Sequence, residues 1–315
     1  MVRIAYLGPE GTFTEAALRQ ITAAGLVPQQ QPGPVRHMPL ESTPAALDAV
    51  RDGDADYACV PIENSIDGSV VPTLDSLAIG SPLQVFAETT LDVAFSIVAK
   101  QGLGAGDVRT LAAFPVAVAQ VRRWLDAQLP GVELRPAYSN ADAARQVAEG
   151  QADAAVTSPL AAAHWGLGVI ADGVVDEPNA RTRFVLIGLP GPPPARTGAD
   201  RTSVVLRIDN VPGALLSALA EFGIRGIDLT RIESRPTRTE LGTYLFFADC
   251  VGHLDDDAVA EALKALHRRC ADVRYLGSWP TGSAGGVPPP PADEASRWLA
   301  RLREGKPAQT FGAGG

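Results

Sequence analysis

Four prolines in five residues, Pro190-Gly191-Pro192-Pro193-Pro194, divide the sequence into two unlike parts. Proline cannot donate to a sheet ladder or continue a helix, so no regular element runs through this point. The stretch 190–201 reads as a semi-rigid linker. At 315 residues the chain can hold a domain of ordinary size on each side of it.

Upstream, short apolar runs alternate with amphipathic ones, the signature of an α/β domain with mainly parallel strands. Strands are predicted at 3–7, 55–60, 109–113, 132–138, 152–157, 168–171 and 183–189, with one or two long strands within 83–100. Helices are predicted at 14–24, 71–78, 115–129, 141–149 (capped by Asn140, ended by Gly150) and 160–164. The rhythm occurs twice within 2–189, which suggests two lobes around a cleft, roughly 2–76 plus 175–189 and 77–174. Ligands of open α/β sheets sit beyond strand C-termini, so the loops after Leu7, Val60 and Thr157 are the places to search.

Downstream, 202–280 reads strand, helix, strand, strand, helix, strand. Leu215, Leu216, Leu219 and Phe222 give one helical stripe, and Val259, Leu263 and Leu266 the other. This βαββαβ order is the ferredoxin-like split motif. The tail, 281–315, is rich in Gly, Ser and Pro and is expected to be largely disordered around a short helix at 295–303.

The balance of 46% hydrophobic and 20% charged residues is that of a globular protein. A formal charge of -9 argues against nucleic-acid and membrane surfaces. It leaves room for an anionic small substrate held by local arginines or helix N-termini. No apolar run approaches the roughly 20 residues of a spanning helix, and the N-terminus does not read as a signal peptide. The cysteines Cys59, Cys250 and Cys270 read as reduced, buried residues of a cytoplasmic protein. No Cys or His pair has metal-ligand spacing.

Three constellations in the first part could carry chemistry. Gly8-Pro9-Glu10-Gly11-Thr12-Phe13-Thr14-Glu15 follows a strand and opens a helix, so its free N–H groups suit an anion; equally, Thr14 caps its own helix. Pro61-Ile62-Glu63-Asn64-Ser65-Ile66-Asp67-Gly68-Ser69-Val70 follows a buried strand and offers neutral donors, or else a turn that satisfies itself. In Arg181-Thr182-Arg183-Phe184 a hydroxyl stands between two guanidiniums, suited to clamping a carboxylate or to ion pairs with Asp176 or Glu177. There is no Gly-x-Ser-x-Gly elbow, phosphate loop or dinucleotide fingerprint.

Taken in order, these motifs resemble those of the prephenate dehydratase family. Gly8 to Thr14 is similar to its opening motif, Glu63-Asn64-Ser65-Ile66-Asp67-Gly68-Ser69-Val70 to its second loop, and Thr182-Arg183-Phe184 to its Thr-Arg-Phe signature. Residues 202–280 resemble an ACT domain, with Asn210, Pro212, Gly213, Ala214, Leu215, Glu233 and Ser234 standing where that family binds phenylalanine.

The resemblance implies a periplasmic-binding-protein-like catalytic domain followed by a ferredoxin-like ACT domain, with no fused partner enzyme. It implies a cofactor-free, metal-free lyase that turns prephenate into phenylpyruvate. Thr182 and Arg183 would be catalytic; Thr12, Asn64, Ser65, Gly68, Ser69, Thr157, Ser158 and Phe184 would meet the substrate. L-Phenylalanine would act as effector on a homodimer or homotetramer. Arogenate dehydratase and a non-catalytic aromatic-acid sensor are the rival readings. Many members carry Ser-His where this chain has Ala113-Phe114, and a histidine within the run Asp92-Val93-Ala94-Phe95-Ser96. Those imidazoles cannot serve here, a departure that resembles an actinobacterial branch.

Overall fold

The first part of the chain is two sheets joined by two strand crossings. One lobe begins with β1 (Val2–Leu7), α1 (Phe13–Ala23), β2 (Val35–Leu40), α2 (Thr43–Arg51), β3 (Tyr57–Asn64), β4 (Gly68–Ser69), α3 (Val71–Ala78) and β5 (Gln84–Asp92). The chain then crosses at residues 93 and 94. The second lobe holds β6 (Phe95–Ala99), β7 (Thr110–Ala113), α4 (Pro115–Gln120), α5 (Arg122–Gln128), β8 (Glu133–Pro136), α6 (Asn140–Ala148), β9 (Ala154–Thr157), α7 (Pro159–His164) and β10 (Gly168–Val174). Finally β11 (Arg181–Gly188) returns to the first sheet. The orders are β2-β1-β3-β11-β5, with β4 on β3, and β10-β6-β9-β7-β8. This computed structural model describes residues 1–28, 33–282, 286–289 and 293–306.

The crossing lies later than expected. The apolar stretch 83–100 is two strands in different sheets, so residues 77–92 belong to the first lobe. The expected helix 115–129 breaks at Val121, whose ψ of 14° lies outside the helical range. Both β2 and α2 escaped the sequence reading. Pro39 lies inside β2, which is an edge strand, where proline is tolerated. In α2 the signals were present: Ser42 caps it, Pro44 opens it, and Ala46, Leu47 and Val50 form its buried stripe.

The first lobe's core joins Ile4 and Tyr6 of β1, Leu18 and Ile21 of α1, and Phe184 and Leu186 of β11. Leu18 and Ile21 are fully buried, and each contributes about 1.5–3 kcal/mol by leaving water.

The second unit, Pro192–Gly315, contains β12 (Asp200–Arg207), α8 (Ala214–Gly223), β13 (Leu229–Pro236), β14 (Tyr244–Val251), α9 (Asp257–Arg269), β15 (Asp272–Pro280) and α10 (Asp293–Arg303). Its antiparallel sheet runs β13-β14-β12-β15. The expected linker is tied to this unit. His253 Nε2 meets Pro194 O at 3.0 Å, Arg196 pairs with Asp256 at 2.7 Å, and β12 starts at Asp200. In the tail, Ser296 Oγ of α10 donates to Asp257 Oδ2. The disorder expected for the tail falls in part on 283–285, 290–292 and 307–315, which lie outside the described residues. All three cysteines are free; Cys59 and Cys250 are buried, and burial raises both thiol pKa values, Cys250 to about 12. Among the described residues no helix is long and apolar enough to cross a membrane.

Candidate active site

The hairpin from β3 to β4 sets the first functional group. Asn64 Oδ1 accepts from Ile66 N at 2.8 Å and Asp67 N at 2.9 Å. This is the turn-closing pattern that asparagine favours. Gly68, at φ +81°, restarts the ladder opposite Asn64, in a backbone region that L side chains avoid. With its oxygen occupied by two backbone donors, the amide can only present its NH2 outward. That NH2 donates to Thr182 Oγ1 at 2.8 Å. Asn64 and Thr182 are direct partners in the antiparallel register of β3 and β11. A threonine oxygen that accepts this bond keeps its own proton for another acceptor. Thr182 is 9% exposed.

Arg183 does not stand beside that hydroxyl. Successive strand residues point to opposite faces, so Arg183 lies on the far side of the sheet. There it meets Glu63 Oε2 at 3.0 Å and Glu88 Oε2 at 3.4 Å. Two carboxylates meet its charge, which is the ion-pair alternative to a substrate clamp, with Glu63 and Glu88 as the partners. Phe184, expected to meet the substrate, is 2% exposed, and its ring belongs to the core of the first lobe. Arg181 pairs with Asp92, not with Asp176 or Glu177.

Ser65 braces the return crossing: its hydroxyl donates to Asn179 O and accepts from Arg181 N. Ser69 pairs with Glu63 in the short β4 ladder. Thr12, not Thr14, caps α1, accepting from Glu15 N at 3.3 Å and donating to Leu7 O. Ser139, not Asn140, caps α6. Thr157 and Ser158 were expected to face the cleft, yet both are buried, at 0% and 1% exposure. Thr157 donates to Asn140 O, and Ser158 caps α7 and donates to Gly11 O. Strand-end position alone hides this, because the inward turn of a side chain depends on the neighbouring helix.

A cavity of about 920 Å³ opens between the lobes. The first lobe lines it with the opening turn, including Thr12, Phe13 and Thr14; the second contributes Phe114, Asn140 and Trp165. Thr182 and Asn64 are not lining residues. Phe13 lines the cavity, and its ring meets Phe95 edge-on at 5.7 Å beside the crossing. Phe114, Asn140 and Trp165 were missed as cleft residues, because nothing local marks an aromatic ring or a helix-start amide as cleft-facing.

The second unit has a cavity of about 300 Å³ lined by Asn210, Val211, Ala214, Leu215 and hairpin residues that include Thr237, Glu240 and Tyr244. Of the expected effector residues, Asn210, Ala214 and Leu215 line it. Pro212, Gly213, Glu233 and Ser234 do not. Gly213 is the N-cap of α8, and Ser234 is exposed on the edge strand β13.

The model of the family Prephenate dehydratase matches residues 4–191, and that of the ACT domain matches 202–268. The chain belongs to the prephenate dehydratase family. A prephenate dehydratase of Mycobacterium tuberculosis is 81% identical over 311 residues, covering 99% of this chain and 97% of that protein. The crystal structure of prephenate dehydratase from Arthrobacter aurescens, in complex with L-Phe, superposes with a TM-score of 0.84 at 39% identity, covering 96% of this chain and all of that one. A quorum-quenching acylase named GqqA has a TM-score of 0.75 at 29% identity, covering 89% and 97%. Like the family, this enzyme is a carbon–oxygen lyase with a two-lobed α/β domain and an ACT domain. Phe114, at the position where the resemblance implied a Ser-His pair in many members, lines the cleft.

Proposed function

We propose that the chain converts prephenate to phenylpyruvate in phenylalanine biosynthesis, in the cytoplasm, and that Thr182 assists the departing hydroxyl. The observation that carries this role is the bond from Asn64 to Thr182 Oγ1. Decarboxylation leaves the electron pair of the ring–carboxylate bond in the ring. The ring carbon–oxygen bond then breaks with its pair on oxygen, and one proton completes water. A threonine hydroxyl is too weak an acid to be that proton's ultimate source at neutral pH. Held by Asn64 as a donor, it stabilises the charge growing on the leaving oxygen while solvent supplies the proton. Gly68 and Ser69 shape the loop beside Thr182, and Thr12 lines the cleft that admits the substrate.

The second unit supports a phenylalanine effector site at Asn210, Ala214 and Leu215, with Ser234 brought up from another copy of the chain across the β13 edge. Such an effector must favour one quaternary state to change turnover. Fold alone does not set the reaction, as the acylase neighbour illustrates; the near full-length identity to dehydratases favours this one. The test is to incubate the pure protein with prephenate and follow phenylpyruvate absorbance in base, with and without phenylalanine. Parallel arms with arogenate and an acyl amide distinguish the other activities. Product from prephenate is expected, and its absence overturns the reading.

A further inference from the structure

Gly11 is held from both sides. Its N–H donates to Glu15 Oε2 at 2.6 Å, within its own lobe. Its carbonyl accepts from Ser158 Oγ, which belongs to the other lobe. Ser158 is 1% exposed, and its oxygen also accepts from Ala161 N at 3.0 Å, capping α7. The approach is close: a Cβ on Gly11, whose φ is +87°, would stand 2.9 Å from Ala161 Cβ. Gly11 directly precedes Thr12, the cap of α1, and the turn it belongs to forms one wall of the cleft. Two strand crossings carry the chain between the lobes, and this buried bond is a further tie from one lobe to the other, one residue beyond the pairing of Thr157 with Ser96.

We infer that the Ser158–Gly11 hydrogen bond is a latch that holds the lobes together around bound substrate. Ser158 is then a positioning residue. It sets the place of the opening turn against the second lobe and does not itself touch prephenate. The inference rests on the dehydratase reading above. Opening exposes the Ser158 hydroxyl and the Gly11 carbonyl to water, so the bond biases the lobes toward closure by its net value, a factor of up to about ten. Substrate that binds the closed form feels that factor as apparent affinity.

The test is steady-state kinetics of Ser158→Ala beside Ser42→Ala. Ser42 caps α2 by accepting from Ala45 N and makes no bond between lobes. The latch predicts a KM for prephenate raised up to about tenfold in Ser158→Ala with kcat nearly kept. Loss of a helix cap alone, as in Ser42→Ala, lowers thermal stability and leaves KM unchanged. Hydrogen exchange gives a readout that needs no turnover. In the wild type, prephenate should slow the amides of 8–14 and 158–162 together, and Ser158→Ala should weaken that coupled slowing. A KM within twofold of wild type overturns the latch. So does protection by prephenate of only one of the two segments, a result readable even where the variant folds poorly. An inactive wild type that still shows coupled protection would sink the dehydratase reading and leave the latch standing.

Discussion

The side-chain amide of Asn64 donates to the hydroxyl of Thr182 across 2.8 Å, tying the end of β3 to the start of β11. Because the amide oxygen is occupied by Ile66 N and Asp67 N, the direction of the bond is set by the turn. The threonine oxygen is thereby an acceptor from protein and a donor toward whatever lies beyond.

Removing that donor should remove the chemistry at a small structural cost. Thr182→Ala is expected to lower kcat about a hundredfold or more, far beyond the modest loss of stability from leaving the Asn64 NH2 without this acceptor. Turnover near wild type would show that the hydroxyl does not act on the leaving group.

Asn64→Asp separates the turn from the bond. The new carboxylate still accepts from Ile66 N and Asp67 N but has no N–H for Thr182. Thr182 would then spend its proton on that carboxylate. A fall in kcat of about tenfold or more is expected, with stability nearly retained. Kinetics and a thermal melt on the same preparation check both halves.

Arg183 is expected to behave as scaffold. Arg183→Met removes the cation that Glu63 and the buried Glu88 share, and should cost about 3 kcal/mol of stability. Urea unfolding measures it. Loss of turnover without loss of stability would return Arg183 to the chemistry.

Asp153 gives a pH signature. Backbone hydrogen bonds from Thr110 and Arg109, then the Thr110 hydroxyl, hold its pKa below the ordinary 3.8. A carboxylate depressed on folding stabilises above its unfolded pKa and loses that contribution as pH falls through the folded value. Asp153→Asn should therefore melt lower than wild type at pH 7, and the gap should close below 3.8. A gap independent of pH would contradict the assignment.

Asn210→Ala should blunt the response to phenylalanine without altering basal turnover, since Asn210 lines the cavity of the second unit. Titration of activity against phenylalanine checks it. An unchanged midpoint would move the effector elsewhere.

Much of this was legible along the chain because it depends on local rules. The proline run, the βαββαβ order and the glycine at Gly68 each follow from what a few neighbouring residues can do. The pairing of Asn64 with Thr182 was readable only as two motifs far apart, and their contact needed the antiparallel register of β3 and β11. The edge position of β2 excused its proline, and no local signal reveals an edge.

By itself, then, the sequence determined most of the elements, the break between the two parts and the motifs that mark the family. The tertiary structure decided which way each polar group turns. It put Arg183 behind the sheet, buried Thr157 and Ser158, and aimed Asn64 at Thr182. The physical reason is that propensity and patterning act over a few residues. Pleat, register and the packing of one lobe on another fix direction only after distant segments meet.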